Sequence, residues 1–252
     1  MKPTSAWLLG ATLFCSCALL SSPARAQQFN SDNYLSKPHG VATLILTAGE
    51  RNLMWMTTLS LFPRWEFTAA AYLFNSDKNP LTADGYSTSY YAKWMLYENK
   101  AKTGGFAVKG GTGLEPGYVN DAVEVQDAFR TFWMNSPITV PLFDNKLSWD
   151  LMPGGSLTFE SGSEAVLGAF SYATRMGWYP FSPEWSFVGE VYGAEGAAES
   201  IPEYRVGLRW EPSQYAVIAL SYDDEFNGSR GGGVELGVML FTPPFARLGG
   251  SH

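Results

Sequence analysis

The most regular feature of the sequence is an alternation of apolar and polar residues that recurs along almost its whole length. In the stretch EYRVGLRWE (203–211), large apolar residues occupy the even positions, whereas Arg205 and Arg209 lie at odd positions. Successive side chains of a β-strand point to opposite faces, so this stretch predicts a strand with one apolar and one charged face. Long apolar runs with helical spacing and capping residues are nearly absent, which favours an all-β fold.

Runs of about ten residues rich in aromatic and β-branched side chains, each stopped by Gly, Pro, Asn or Asp, predict twelve strands. The predicted strands are 40–48, 53–62, 65–74, 87–98, 104–113, 129–142, 146–159, 165–179, 185–193, 203–211, 215–222 and 232–241. Several exceed the five or six residues usual in soluble sheets. They match the roughly 9–11 residues that a tilted strand needs to cross a bilayer.

The connections between these strands alternate in length. From the second strand onward every other connection is short, as in PR (63–64), DNK (144–146) and PSQ (212–214), and most of the others are longer and more polar. Short turns on one side and longer loops on the other are typical of outer-membrane barrels. An even number of strands places both ends of the barrel on the short-turn, periplasmic side.

The charged positions of the strands share one face. A charge on the lipid side costs about 2–4 kcal/mol near the bilayer midplane, so the apolar faces are expected to contact lipid and the charged faces to line the lumen. The predicted lumen-lining and binding residues are Glu66, Lys93, Lys109, Asp150, Arg175, Glu190, Arg205, Arg209 and Glu235. Five cations against four anions predict no strong ion selectivity. Pairing of these charges to fill a narrow lumen is an equally open interpretation.

Aromatic residues lie close to the short turns. They are Trp65, Trp178, Tyr179, Trp185, Trp210 and Tyr215. Aromatic rings prefer the headgroup level of a membrane, so this placement predicts an interfacial girdle.

The last predicted strand, GGGVELGVMLF, resembles the carboxy-terminal assembly signal of Gram-negative outer-membrane β-barrels in its Gly237, its alternating apolar residues and its Phe241. It departs from the common form because TPPFARLGGSH continues beyond Phe241. Together with the strand lengths and the turn asymmetry, the chain resembles the porin- and transporter-like members of that class. The resemblance implies an antiparallel up-and-down transmembrane β-barrel of about twelve strands over residues 40–242.

The residues outside the predicted barrel divide into three segments. Lys2, an apolar stretch and the A-x-A pattern ending at Ala26 predict a signal peptide, residues 1–26, cleaved after Ala26. A polar segment, 27–39, precedes the barrel, and a tail, 243–252, follows it. Without the signal peptide the chain has no cysteine, and 15 basic residues stand against 24 acidic ones, a formal charge of −9 that argues against nucleic-acid binding.

Candidate chemistry is sparse. His39 and His252 are the two histidines of the sequence, and neither lies beside a plausible nucleophile or acid, so the sequence predicts no catalytic residues, no metal site and no cofactor. The acidic loop 114–128 is long enough to enter the barrel mouth, although simple solvation is an equally good interpretation.

The leading functional hypothesis is therefore a narrow outer-membrane pore or passive transporter for small polar solutes, with membrane lipid as its other partner. One alternative is a structural or assembly protein of the outer membrane with a plugged lumen. A second is a secreted carbohydrate-binding β-sandwich, because alternation alone does not distinguish a barrel from a sandwich.

Overall fold

The structure is a computed structural model that describes residues 29, 31–74, 85–115, 128–160, 162, 164–196, 200–227 and 232–245. Within these ranges the chain forms thirteen strands. They are β1 (Ala42–Gly49), β2 (Asn52–Phe62), β3 (Trp65–Phe74), β4 (Gly85–Glu98), β5 (Gly105–Gly113), β6 (Thr131–Asn135), β7 (Ile138–Leu142), β8 (Leu147–Phe159), β9 (Val166–Trp178), β10 (Trp185–Gly196), β11 (Ser200–Ser213), β12 (Ala216–Glu225) and β13 (Gly233–Phe241).

All thirteen strands belong to one antiparallel sheet that closes on itself. β1 pairs with β2 on one side and with β13 on the other, and β4 pairs with β5. β6 and β7 both pair with β5 and β8. Together they occupy the place of one interrupted strand, so the barrel is twelve-stranded. The predicted all-β up-and-down barrel is confirmed. The sandwich alternative is wrong, because a sandwich leaves edge strands that this sheet does not have.

The sequence predicts one continuous strand, 129–142, where the structure has β6 and β7. The interruption between them lies at Ser136 and Pro137. Proline has no backbone N–H to give to the ladder. The neighbouring strands still bond to the interruption: the Ser136 N–H donates to the Pro153 carbonyl at 2.9 Å, and the Ala107 N–H donates to the Pro137 carbonyl at 2.9 Å. The barrel therefore stays closed across the break.

Burial alternates along the strands, as in β13, where buried residues alternate with exposed or partly exposed ones. The outer face carries exposed large apolar side chains, and near the short turns it carries stacked indole pairs: Trp65 with Trp94 at 5.2 Å, and Trp185 with Trp210 at 5.5 Å between ring centroids. Such rings fit the membrane interface. In the described part of the chain, no helix has the length and apolar character needed to cross a membrane.

The inner face is not uniformly polar. An apolar cluster that includes Met56, Tyr72, Trp133 and Met239 is buried inside the barrel. The strands β2 and β12 contribute to it, which explains why both faces of these two strands are apolar in the sequence. The interior therefore has a partly apolar wall beside the charged wall described below.

The strand ends differ slightly from the prediction. β10, β11 and β12 each extend about three residues further toward the long loops than predicted. The predicted signal peptide and its cleavage site, residues 27–28 and residues 246–252 lie outside the described residues.

Candidate functional site

Five neighbouring strands, β8 to β12, each place one charged residue at the same level of the inner wall. In order, these residues are Asp150, Arg175, Glu190, Arg205 and Asp223, and each is the register partner of the next. We call this set the charge ladder. The signs alternate at every step and all five side chains are buried. Each charge therefore has an opposite charge on a neighbouring strand, the favourable arrangement for cross-strand pairs.

Ion pairs lie at both ends of the ladder. The Arg175 guanidinium donates to Asp150 Oδ2 through Nε at 3.0 Å and through its terminal nitrogen at 2.7 Å. Arg205 lies 3.0 Å from Glu235 Oε1 and 3.9 Å from Asp223 Oδ2. At the long-loop end, Arg51 caps the ladder by binding Asp223 at 2.7 Å. These contacts fix the arginine side chains along the wall.

A second row of polar residues lies on the strands β3 to β6. Glu66 is the register partner of Lys93, Lys93 of Lys109, and Lys109 of Asn135. We call this set the lysine row. Lys93 Nζ lies 2.7 Å from Glu66 Oε2. Lys109 is fully buried, and its Nζ lies 5.3 Å and 5.6 Å from the ring centroids of Tyr91 and Trp133, within the range of cation–π attraction.

The segment that precedes β1 lies inside the barrel. Residues 31–37, which we call the plug, are mostly buried. The sequence predicts this segment only as a polar extension before the barrel, without a position. Phe29 is also buried and packs with Val188 and Ala219 on the inner wall.

Asp32 connects the plug to the lysine row. Its Oδ2 lies 3.3 Å from Lys93 Nζ and 3.8 Å from Lys109 Nζ. Burial by itself would raise the pKa of Asp32, but the ammonium groups of Lys93 and Lys109 outweigh burial and hold the pKa below its usual value. Asp32 is therefore a buried carboxylate that stays ionised because two cations face it.

The backbone of the plug is bound by charged side chains of the wall. The Ser31 N–H donates to Glu190 of the charge ladder. The Lys37 N–H donates to Glu66 Oε1 at 2.6 Å, and Lys93 Nζ donates to the Leu35 carbonyl at 2.8 Å. The plug thus links the ladder to the lysine row across the lumen.

The plug also needs space in the wall. The Tyr34 N–H donates to Thr139 Oγ1 at 3.3 Å, and the Tyr34 ring packs against Gly105 at the start of β5. A Cβ at Gly105 would lie 2.6 Å from Tyr34 Cδ2 and 2.1 Å from the Tyr97 carbonyl oxygen. Only glycine allows this close approach.

The acidic loop after β5 begins by turning into the barrel. Glu115 is buried, and its Oε1 accepts hydrogen bonds from Asn135 Nδ2 at 3.0 Å and from Ser171 Oγ at 3.1 Å. Burial raises the pKa of Glu115 to about 7, although these hydrogen bonds act in the opposite direction. The sequence left open whether the loop 114–128 enters the barrel mouth or is solvated. Glu115 enters the mouth, and residues 116–127 lie outside the described part.

All nine residues predicted to line the lumen are buried, with exposed fractions of 7% or less. Asp150, Arg175, Glu190 and Arg205 come together in the charge ladder, whereas Glu66, Lys93 and Lys109 form the lysine row. Glu235 pairs with Arg205, and Arg209 lies 3.2 Å from Glu211. Their role in binding a solute remains a prediction.

Six further buried carboxylates were absent from the predicted set. They are Asp32, Glu115, Glu203, Glu211, Asp223 and Glu225. Two of them could have been predicted from the alternation of side chains along a strand, because Glu203 and Glu211 lie on the same face of β11 as Arg205. No comparable local signal existed for Asp32 and Glu115, since neither lies in a strand.

Across the described ranges, no group of three or more His, Cys, Asp or Glu side chains is arranged to hold a metal ion. His39 lies at the short-turn mouth, between the plug and β1.

A closed, twelve-stranded antiparallel barrel that is apolar outside and charged inside has the architecture of an outer-membrane β-barrel. Among solved structures, the chain is similar to an outer-membrane channel from Pseudomonas putida F1, with TM-score 0.59 and 11% identity over 85% of this chain and 100% of that one. It is also similar to the KdgM porin (TM-score 0.54, 11% identity, 79% and 98% coverage) and to the NanC porin (TM-score 0.54, 8% identity, 79% and 98% coverage). No protein-family model and no curated protein matches the sequence. These likenesses establish the outer-membrane barrel fold.

Proposed function

We propose that this protein is a narrow outer-membrane pore for small polar solutes, in which the plug occupies the conducting path in the structure described here. The observation that carries the proposal is the way the plug is held. Asp32, Ser31 and Lys37 contact the wall through ion pairs and hydrogen bonds. Water that enters the lumen can replace such contacts. Tyr34 is the one buried aromatic side chain of the plug, so departure of the plug exposes little apolar surface.

The fold comparison supports a transport role. The similar structures described above, with TM-scores of 0.54 and 0.59, are a channel and two porins, and one of them, KdgM, was solved in complex with oligogalacturonate. For this chain the solute class that we propose is small and polar, because fixed charges of both signs line the charged wall. We propose no enzymatic activity, in keeping with the channel character of these fold neighbours.

The proposal also includes export to the outer membrane. The N-terminal sequence pattern supports a signal peptide cleaved after Ala26. Mass spectrometry of the protein purified from outer membranes tests this directly, and a chain that starts at Met1 would contradict it.

Planar-bilayer recording of the purified protein tests the pore. Wild type is expected to open rarely, because the plug is docked. Asp32→Asn removes the charge that faces Lys93 and Lys109 and is expected to raise the open probability about tenfold, the scale of one buried charge-assisted interaction. A chain that lacks residues 31–37 is expected to conduct continuously.

Asp144→Asn is the matched control. It makes the same chemical change on an exposed turn at the same end of the barrel, and Asn tolerates the positive φ of 54° at this position. This variant is expected to behave like wild type.

The second candidate function, a structural or assembly protein with a closed lumen, is favoured by the apolar cluster that includes Met56 and Trp133 inside the barrel. The same recordings separate the two functions. If neither Asp32→Asn nor the chain without residues 31–37 shows channel events at any voltage, the pore proposal is wrong and the scaffold is supported.

A further inference from the structure

A cavity of about 610 Å³ lies between the plug and the short-turn end of the barrel. Its volume lies within the range of about 300–1,000 Å³ that is typical of small-molecule sites. The plug contributes one side of the cavity, and the wall and the residues after β13 contribute the other. This cavity is separate from the ion pairs of Asp32, which lie deeper in the barrel.

Most of the cavity wall is apolar. Leu35 and Val41 come from the segment around the start of β1, Met95 comes from β4, and Phe241 comes from the end of β13. Val41, Met95 and Phe241 are buried. A ligand that fills this space therefore needs an apolar body.

Cationic side chains outnumber anionic ones along the same cavity. Lys37, Arg64 and Lys102 line it, and the one carboxylate among its described lining residues, Glu98, accepts a hydrogen bond from Tyr34 Oη at 3.5 Å. Lys37 Nζ lies 4.4 Å from the ring centroid of Phe241. A cation and an apolar ring thus lie side by side at one end of the cavity.

His39 adds a polar group that lacks a partner. Both of its ring nitrogens are shielded from solvent, and neither makes a hydrogen bond. A buried polar atom without a partner is unfavourable, and an acceptor group in the cavity would relieve this cost. Burial lowers the pKa of Lys37 to about 8 against the opposing field of Glu66, so Lys37 remains mainly charged at neutral pH.

We propose that this cavity binds a small amphipathic carboxylate, with its carboxylate group at Lys37 and His39 and its apolar body against Leu35, Val41 and Phe241. The ligand class follows from the cationic and apolar groups that line one cavity together. The proposal does not depend on conduction, because binding can occur whether or not the lumen opens.

Equilibrium dialysis of octanoate against the full-length mature protein in lipid nanodiscs tests this site, with empty nanodiscs as the blank. Wild type is expected to bind octanoate saturably above the blank. Octanol, which has the chain without the charge, and acetate, which has the charge without the chain, are expected to compete at least about tenfold more weakly.

Three variants locate the site. Lys37→Gln is expected to weaken octanoate binding about tenfold, since it removes a charge-assisted contact, and Lys37→Arg is expected to restore most of it. Lys100→Gln is the matched control, because Lys100 lies on the same turn as Lys102 but does not line the cavity. A heat-modifiable band on SDS gels verifies that each variant is assembled.

Three outcomes would overturn the proposal. They are the absence of saturable binding to assembled wild type, equal competition by octanol, and unchanged octanoate binding in assembled Lys37→Gln. A silent bilayer recording would leave the binding result unaffected, so the failure of this inference is distinguishable from failure of the proposed pore.

Discussion

At the scale of single residues, the lumen is organised by buried ion pairs whose members depend on one another. Arg205 illustrates this. From the sequence alone, its side chain is expected to face a wet lumen, and Arg205→Ala is expected to leave assembly nearly intact. In the structure Arg205 is buried and lies between Glu235 and Asp223. Its removal leaves the buried Glu235 without its cation, whereas Asp223 keeps Arg51.

Arg205→Met is therefore expected to destabilise the folded barrel by about 3 kcal/mol, because breaking one side of a buried pair leaves an uncompensated charge. Adding Glu235→Gln to the same chain is expected to recover most of the loss, since Glu235 lies 3.0 Å from Arg205. Urea unfolding in lipid vesicles measures both variants. A double variant as unstable as the single one would contradict the pairing.

Glu115 gives a prediction of pH dependence. Its pKa is about 7 when docked and 4.5 in the unfolded chain, so the stabilisation from docking is complete below pH 4.5 and is lost as the pH rises through 7. The full effect is at most about 3 kcal/mol at 1.36 kcal/mol per pKa unit. Wild type is therefore expected to lose stability between pH 4.5 and pH 7, relative to Glu115→Gln.

The comparison of wild type with Glu115→Gln cancels the titration of every other group. Urea unfolding at pH 4.5, 6 and 8 measures the difference. If the difference between the two chains does not change with pH, the pKa of Glu115 is not raised in the folded protein.

At the scale of elements, each strand has one face for lipid and one for the lumen. β11 is the clearest case, because Val206 and Leu208 are exposed on the outer face whereas Arg205 and Arg209 are buried. The alternation was readable from the sequence because it depends only on the two-residue period of a strand. The interruption at Pro137 was missed because Thr131–Asn135 and Ile138–Leu142 continue the same apolar pattern on both sides of it.

Leu208→Arg tests the lipid face. The charge enters the hydrocarbon region and is expected to cost about 2–4 kcal/mol, with a matching fall in the fraction assembled into membranes. Leu208→Ala is the control, because it shortens the side chain without adding charge. Assembly of Leu208→Arg at the wild-type level would show that this face does not contact lipid.

At the scale of the whole molecule, closure through β1 and β13 encloses more carboxylates than cations. Ten carboxylates and five cations are buried in the described part of the chain. With the less buried Arg51 and Lys37 included, the carboxylates still predominate. The expectation of no strong ion selectivity, which rested on nine residues, therefore changes to a preference for cations.

This preference is measurable in the chain that lacks residues 31–37, which loses Asp32 and Lys37 but keeps nine buried carboxylates against five buried cations and Arg51. At pH 8, where Glu115 is mainly ionised, a salt gradient of KCl is expected to give a cation-to-anion permeability ratio of about 3. Glu225→Gln removes one buried carboxylate and is expected to lower the ratio. An anion preference would contradict the charge balance.

The sequence by itself determined the properties that depend on neighbouring residues. Strand positions, strand faces and the aromatic girdle follow from the two-residue period and from local turn signals. A closed barrel then follows from the number of strands and their apolar outer faces, because a membrane tolerates no open sheet edge. Because the outer faces are apolar and successive side chains alternate between faces, all nine predicted inward charges are buried in the structure.

Tertiary structure alone decided which of these residues meet. The Ser31 N–H bonds to Glu190, 159 positions away, and Lys93 contacts Asp32 across 61 positions. The charge ladder requires the register of five strands at once, and the plug requires the lumen to exist before it has a wall to bind. Such contacts leave no local periodicity in the sequence, because their geometry is set by barrel closure and not by the neighbours of each residue.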